Sequence, residues 1–246
     1  MELVVVDSYR ELSLWAANRV ADLIRRKPNA VLGLATGSTP LGLYEELVRR
    51  HREEGLDFSQ VTTFNLDEYL GLPPDHPASY HYFMRENLFA HINVRPGAVH
   101  IPSGVAADIE QECIRYEEAI RQAGGIDLQI LGIGRNGHIG FNEPGTPFDS
   151  RTHVVDLAED TRRANARFFN SIDEVPRRAV TMGIATIMEA REILLLASGP
   201  EKAWAVARTL EGEVTPEVPA SVLQRHPRVF VVADRGAAAQ VKKLAG

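Results

Sequence analysis

Gly132-Ile133-Gly134-Arg135-Asn136-Gly137-His138-Ile139-Gly140-Phe141-Asn142-Glu143-Pro144 sets a histidine and a glutamate five positions apart on a glycine-rich loop. An imidazole that titrates near neutrality, with a carboxylate to orient it or share its proton, is a proton-handling pair. The glycines let a ligand approach the backbone closely. Gly132, Gly134 and Gly137 also match GxGxxG, which in a dinucleotide-binding fold opens a helix beneath a pyrophosphate. Here the residues after Gly137 end local structure and start no amphipathic helix, so nicotinamide chemistry is set aside. A further carboxylate, Asp67 in Phe64-Asn65-Leu66-Asp67-Glu68-Tyr69, closes an apolar run. An acid at such a place also serves as a turn former or helix cap.

An anion subsite is suggested by Val31-Leu32-Gly33-Leu34-Ala35-Thr36, which runs into Gly37-Ser38-Thr39-Pro40. Thr39 suits an N-cap and Pro40 the first helical position. A strand, a glycine turn and a helix start offer free N–H groups and a positive dipole end, with hydroxyls from Thr36, Ser38 and Thr39 alongside. The same residues equally describe a capped helix without ligand. Lys202, in Ser198-Gly199-Pro200-Glu201-Lys202, occupies another strand-to-helix junction, where a cation opposes the dipole unless an anion answers it. Asp160 to Asn170 reads as a helix with Arg162, Arg163 and Arg167. One of them suits a phosphate clamp, since guanidinium grips two oxygens, but spacing does not choose among them.

The other histidines, His76 and His81 among them, show no HExxH spacing, so no catalytic metal is expected. No GxSxG serine elbow is present either. A phosphate anchor with a carboxylate base and a histidine, and no cofactor, suits proton transfer on a phosphorylated sugar, where a base removes hydrogen α to a carbonyl.

The elements that must position these groups alternate between short β-branched runs and amphipathic stretches. Strands are predicted at Leu3–Val6, Val31–Thr36, Val61–Leu66, Ile126–Ile133, Ile193–Ser198 and Val229–Ala233. Helices are predicted after the first to about Arg26, from Pro40 and from about Pro200. This is an α/β pattern: a three-layer, mostly parallel open sheet with helices on both faces. Ligands of such sheets bind outside the carboxyl ends of the strands, where the polar segments above fall.

With 246 residues, 44% hydrophobic and 24% charged, one domain over 1–246 is expected. The formal charge of −6 opposes nonspecific binding to nucleic acid or anionic membrane, and the partner expected is a small molecule. Cys113, the single cysteine, shares an apolar helical stripe with Ile109, Tyr116 and Ile120 and reads as core. Without a leader or a membrane-length apolar run, the cytoplasm is the simplest compartment.

Several of these segments together resemble the glucosamine-6-phosphate deaminase (isomerase) family: Leu34 to Pro40, Phe64 to Pro73, Gly132 to Pro144, Ser150-Arg151-Thr152 and Thr161 to Phe169, in order and spacing. The resemblance implies conversion of glucosamine 6-phosphate and water to fructose 6-phosphate and ammonia, as in catabolism of N-acetylglucosamine. It implies that Asp67 shuttles hydrogen from C2 to C1 and that His138, with Glu143 and Asn136 beside it, opens the pyranose ring. Phosphate would be held by Ser38, Thr39 and the Gly37 backbone, next to Thr36, and by Arg167 and Lys202. The helix bearing Arg167 would belong to a lid at about 155–180 that excludes water.

Some family members carry aspartate where this chain has Asn136, so its histidine is expected to have a lower pKa than theirs. Larger allosteric relatives place basic residues just after Ser-Arg-Thr; here His153 and Val155 follow, and activation by N-acetylglucosamine 6-phosphate is expected to be weak or absent. The alternatives are a 6-phosphogluconolactonase, whose loop usually continues toward Ser-Leu-Phe-Pro, a galactosamine-6-phosphate isomerase, and a sugar-phosphate-sensing domain without catalysis. Monomer and homo-oligomer are left open.

Overall fold

The computed structural model describes residues 1–244. The chain opens with β1 (Glu2–Val6), α1 (Tyr9–Arg26), β2 (Val31–Leu34), α2 (Leu41–Glu54), β3 (Thr62–Asn65) and β4 (Asp67–Tyr69). It continues through α3 (Tyr80–Asn87), β5 (Val99–His100), α4 (Ile109–Gln122), β6 (Leu128–Leu131), β7 (His153–Asp156) and α5 (Glu159–Asn165). The last elements are β8 (Arg178–Thr181), α6 (Ile184–Met188), β9 (Glu192–Ala197), α7 (Ala203–Glu211) and β10 (Val229–Asp234).

Seven strands pair in the order β1-β10-β9-β6-β2-β3-β5, every neighbour parallel. Side chains alternate across a strand, so a sheet covered on both faces needs unbroken apolar strands, as in Ile193 to Ala197. Leu194, Leu196 and Val232 pack with Leu12 of α1, Leu43 of α2 and Met84 of α3. Ile193, Leu195 and Val231 pack on the other face with Tyr116 of α4, Ile187 of α6 and Val206 of α7. The three layers follow from that alternation. Cys113 is buried on α4, where burial above all pushes its thiol up to about 11, away from nucleophile chemistry. No helix among the described residues is long and apolar enough to cross a membrane.

From β2 the chain moves outward to β3, whereas from β6 it moves in the opposite direction to β9. The order therefore reverses between β2 and β6, and the crevice outside their carboxyl ends is where open α/β sheets bind ligand. The loops from Ala35 and from Gly132 emerge there.

A second sheet, β4-β8-β7, is antiparallel and was absent from the sequence expectation. Its strands are three or four residues long, too short for an alternation to show. β7 and β8 pair with each other, and α5 with its following tight turns fills the excursion between them. The interval expected as a lid corresponds to this excursion and its strand ends.

Five local expectations need correction. Thr39 does not cap α2: Pro40 takes the half-helical position itself (φ −81°, ψ −2°), which pushes Thr39 out by one residue, and no side chain caps the helix. Thr36 lies beyond β2, which ends at Leu34. The helix expected at Asp160–Asn170 is α5 followed by a tighter turn, Ala166–Phe168. Lys202 ends a tight turn, Pro200–Lys202, instead of lying in the first turn of α7. Asp67, expected to close a strand, opens β4 after β3 has ended at Asn65.

Candidate active site

The loop after β6 is shaped around its own histidine. Gly134 N–H donates to the His138 carbonyl at 2.9 Å, and Gly137 N–H to the Gly134 carbonyl at 3.0 Å. The imidazole then lies against Gly134, where a methyl group would come within 2.1 Å of ring atoms Nδ1 and Cε1. Farther along, the loop is fastened to the end of β8: Phe141 N–H donates to Thr181 Oγ1 at 3.2 Å and Asn142 Nδ2 to the Met182 carbonyl at 2.9 Å.

Asn136 sits between the two titratable groups. Its Oδ1 is 2.8 Å from His138 Nδ1 and accepts from His138 N–H at 3.1 Å, while its Nδ2 donates to Glu143 Oε2 at 3.0 Å. The carboxylate needs a donor, which fixes the amide orientation and places the imidazole proton on Nδ1. Nε2 is left as the basic nitrogen. Glu143 Oε2 is 3.6 Å from His138 Nδ1, and its other oxygen accepts from the Thr161 hydroxyl on α5. Burial holds the His138 pKa below the usual imidazole range; Glu143 works against that shift and Lys202 adds to it.

A neutral amide lets Glu143 and His138 share one bridge without a second negative charge. Asn136→Asp replaces the donor to Glu143 with a carboxylate, which favours the imidazolium and repels Glu143. The histidine-dependent limb of the pH–rate profile should move to higher pH by about one unit, measured as kcat/KM between pH 5 and 9. A profile superimposable on the parent's would count against this.

Asp67 is 6% exposed, and burial followed by the adjacent Glu68 pushes its carboxyl up to about 8. Glu68 is fully buried and accepts from the N–H groups of Tyr69, Tyr80 and His81, with His81 Nδ1 at 2.7 Å. That network anchors the β4–α3 junction, and β4 aligns Asp67 opposite Thr181 of β8. A methyl on Gly140 would lie 3.8 Å from Asp67 Oδ2, so the histidine loop and the aspartate meet at one spot. Tyr80 packs against Tyr69 and Phe141, with ring centroids 4.8 and 6.1 Å apart, and its pKa is raised first by burial and then by Tyr69 and Asp67.

Positive charge gathers beside them. Lys202 Nζ donates to the Ile133 carbonyl at 2.5 Å, at the mouth of the histidine loop. Its pKa is lowered chiefly by burial, opposed by Glu201 and furthered by Arg135 and Arg167. Arg135 and Arg167 are therefore near enough for their charge to be felt at Lys202. Of the arginines that spacing could not separate, Arg162 is buried and spends its guanidinium on the Ile172 and Val175 carbonyls and Glu159. Arg163 is exposed and reaches Glu159 at 3.5 Å. Arg167 has no carboxylate within 4 Å among the described residues and lies over the Phe168 ring.

Ser38 is exposed, with Thr36, Gly37 and Thr39 half-buried, and Gly37 adopts φ +95°. The Tyr9 hydroxyl holds this turn by its contacts to the Ser38 and Thr39 carbonyls, at 3.0 and 2.8 Å. Ser198 is committed elsewhere, donating to Asp234 at 2.6 Å. Nine of the ten residues singled out in the sequence thus follow the carboxyl ends of β2, β3, β6 and β9, and Arg167 comes from the α5 excursion. Sequence reasoning missed Arg135, although a cation beside Asn136 in an acidic chain was a usable signal. It missed Thr161 and Tyr80 because neither spacing nor charge marks them.

Residues 7–231 match the family described as glucosamine-6-phosphate isomerases/6-phosphogluconolactonase. The chain belongs to this family. A relative from Halothermothrix orenii, known as glucosamine-6-phosphate deaminase, is 57% identical over 97% of this chain and 99% of its own length. The solved structure of a monomeric glucosamine-6-phosphate deaminase superposes with a TM-score of 0.96 at 55% identity, covering 98% of this chain and all of that one. The 6-phosphogluconolactonase of Thermotoga maritima shares the fold, with a TM-score of 0.75 at 24% identity over 95% of this chain and 98% of its own.

Proposed function

We propose that this chain isomerises and deaminates glucosamine 6-phosphate, with water, to fructose 6-phosphate and ammonia. The observation that carries the reading is the meeting of Asp67, the Glu143–Asn136–His138 relay and Lys202 at the place where the strand order reverses. Full-length identity of 57% to a deaminase and 55% to a monomeric one supports it over lactone hydrolysis. So does the loop itself, which reads Ile139-Gly-Phe-Asn-Glu-Pro144 instead of continuing to Ser-Leu-Phe-Pro.

In this reading the ester dianion sits against Lys202, Arg167, the Ser38 and Thr39 hydroxyls and the Gly37 N–H. His138 Nε2 takes the anomeric hydroxyl proton and returns it to the ring oxygen, opening the pyranose while Glu143 and Asn136 hold its Nδ1–H. Asp67 then removes the hydrogen from C2 and delivers one to C1. The resulting C2 imine is hydrolysed, and ammonia leaves. A base acts best with a pKa near the working pH, and the substrate ammonium beside Asp67 draws its raised value down to give the carboxylate. The α5 excursion serves as the lid. The enzyme acts as a monomer within a single domain, and with His153 and Val155 after Ser-Arg-Thr, activation by N-acetylglucosamine 6-phosphate is weak or absent.

Lys202→Met should raise KM for glucosamine 6-phosphate by about 10²-fold with a smaller fall in kcat, since the anchor contributes to ground and transition state alike. Initial rates at saturating and limiting substrate check this; an unchanged KM would remove Lys202 from the anchor. The function itself is tested by supplying glucosamine 6-phosphate, its galacto epimer and 6-phosphogluconolactone in parallel. Ammonium and fructose 6-phosphate in equal amounts from the first are expected. Binding without turnover would instead indicate a sensor, and lactone hydrolysis without ammonium a lactonase.

A further inference from the structure

Glu143 receives one bond from outside its own loop, and it comes from the lid. Thr161 lies in the first turn of α5, is 7% exposed, and gives its hydroxyl proton to Glu143 Oε1, leaving Oε2 to Asn136 and the approach of His138. The same segment carries Arg167 six residues later. Its seat is built from the other side by Phe169 on Tyr69 (ring centroids 5.7 Å apart), by Asn165 Nδ2 on the Tyr69 hydroxyl at 2.8 Å, and by Leu157 in the cluster with Tyr69 and Phe141.

We propose that Thr161 is a positioning residue: its hydroxyl, delivered by the α5 lid, sets the rotamer of Glu143 against Asn136 and His138, so the ring-opening relay is assembled only while the lid is seated. The inference rests on the deaminase reading above. A carboxylate with one bond on each oxygen is held in plane, whereas one bonded only through Oε2 turns about its terminal torsion, which is broad. Phosphate caught by Arg167 therefore acts on chemistry some distance away, because the excursion that brings the guanidinium, α5 with the turn after it, also brings the hydroxyl. Without Thr161, substrate still binds through Lys202, Arg167 and the Gly37 turn, yet Glu143 no longer steers the imidazole. The loss falls on turnover and not on affinity.

Thr161 carries a methyl as well as a hydroxyl, and the two roles give opposite rankings. Thr161→Val keeps the buried volume and loses the hydrogen bond; Thr161→Ser keeps the bond and loses the methyl. Wild type and both variants are assayed for ammonium release from glucosamine 6-phosphate, with Tm recorded for each. The expected result is a fall in kcat of about tenfold or more in Thr161→Val at nearly unchanged KM, with Thr161→Ser within about threefold of wild type. Thr161→Val as active as wild type, or more active than Thr161→Ser, overturns the proposal and assigns Thr161 to packing. If Thr161→Val does not fold, Thr161→Ser against Thr161→Ala makes the same comparison, both lacking the methyl, and equal kcat in that pair overturns it too. Absence of ammonium from wild type would instead defeat the deaminase reading and leave this bond a separate matter.

Discussion

Asp67→Asn is expected to lose turnover of glucosamine 6-phosphate by about 10³-fold or more and yet to melt at a higher temperature than the wild type. Both outcomes come from one buried group. The amide occupies the same volume beside Gly140 and Glu68 but cannot accept the C2 proton, so isomerisation stops while phosphate binding persists. The stability gain follows from linkage. The native carboxyl is pushed up to about 8, whereas an unfolded aspartate titrates near 4. Between those values the folded chain binds more protons than the unfolded one, so this group's contribution is greatest below about pH 4 and declines as pH rises toward 8. At neutral pH Asp67 is therefore a local cost, carried for function. Replacing it removes that cost, by about 1–3 kcal/mol, or about 3–8 °C in Tm. The wild type's decline in stability from pH 5 to 8 should flatten in the variant. A lower Tm for Asp67→Asn, with the pH slope kept, would contradict the assigned origin of the strain.

Gly134→Ala is expected to cost about 10²-fold in kcat with the fold retained, although it adds only one methyl group. That methyl would lie 2.1 Å from the His138 ring atoms. The backbone cannot yield easily, since Gly134 N–H is bonded to the His138 carbonyl and its own carbonyl to Gly137 N–H. The ring must turn instead, which breaks the 2.8 Å contact to Asn136 Oδ1 and with it the tautomer that leaves Nε2 basic. KM should change less than kcat, because the atoms nearest the added methyl belong to the His138 ring. Far-UV circular dichroism and Tm establish folding, and steady-state kinetics give the split. Wild-type kcat in Gly134→Ala would mean that His138 takes no part in the rate-determining chemistry.

Much of this site was legible before the fold, for a physical reason. Parallel strands buried on both faces announce themselves as apolar runs, and the ligand rim lies at their carboxyl ends, so Thr36 to Thr39, Gly132 to Glu143 and Lys202 could be placed together from strand positions alone. The antiparallel β4-β8-β7 sheet escaped because strands of three or four residues carry no readable period. That omission hid how Asp67 is aligned: it opens a strand against Thr181 instead of merely ending one. Spacing could not separate Arg162 from Arg167, because what distinguishes them is tertiary. The turn at Ile172–Val175 returns to occupy Arg162 and leaves Arg167 uncommitted. Thr39 looked like an N-cap by residue type, but the backbone of Pro40 shifted the helix start past it. Thr161 opened a segment that carries the resemblance, but its role was not legible there, since it is a single hydrogen bond across eighteen residues to Glu143.

The central claim is that the carboxylate of Asp67 moves hydrogen between C2 and C1 of an anchored amino sugar phosphate. Turnover of glucosamine 6-phosphate deuterated at C2, by wild type and by Asp67→Asn, tests it most directly. The account predicts ammonium and fructose 6-phosphate from the wild type, with part of the deuterium recovered at C1, and neither product from the variant. Undiminished ammonium release by Asp67→Asn would contradict it.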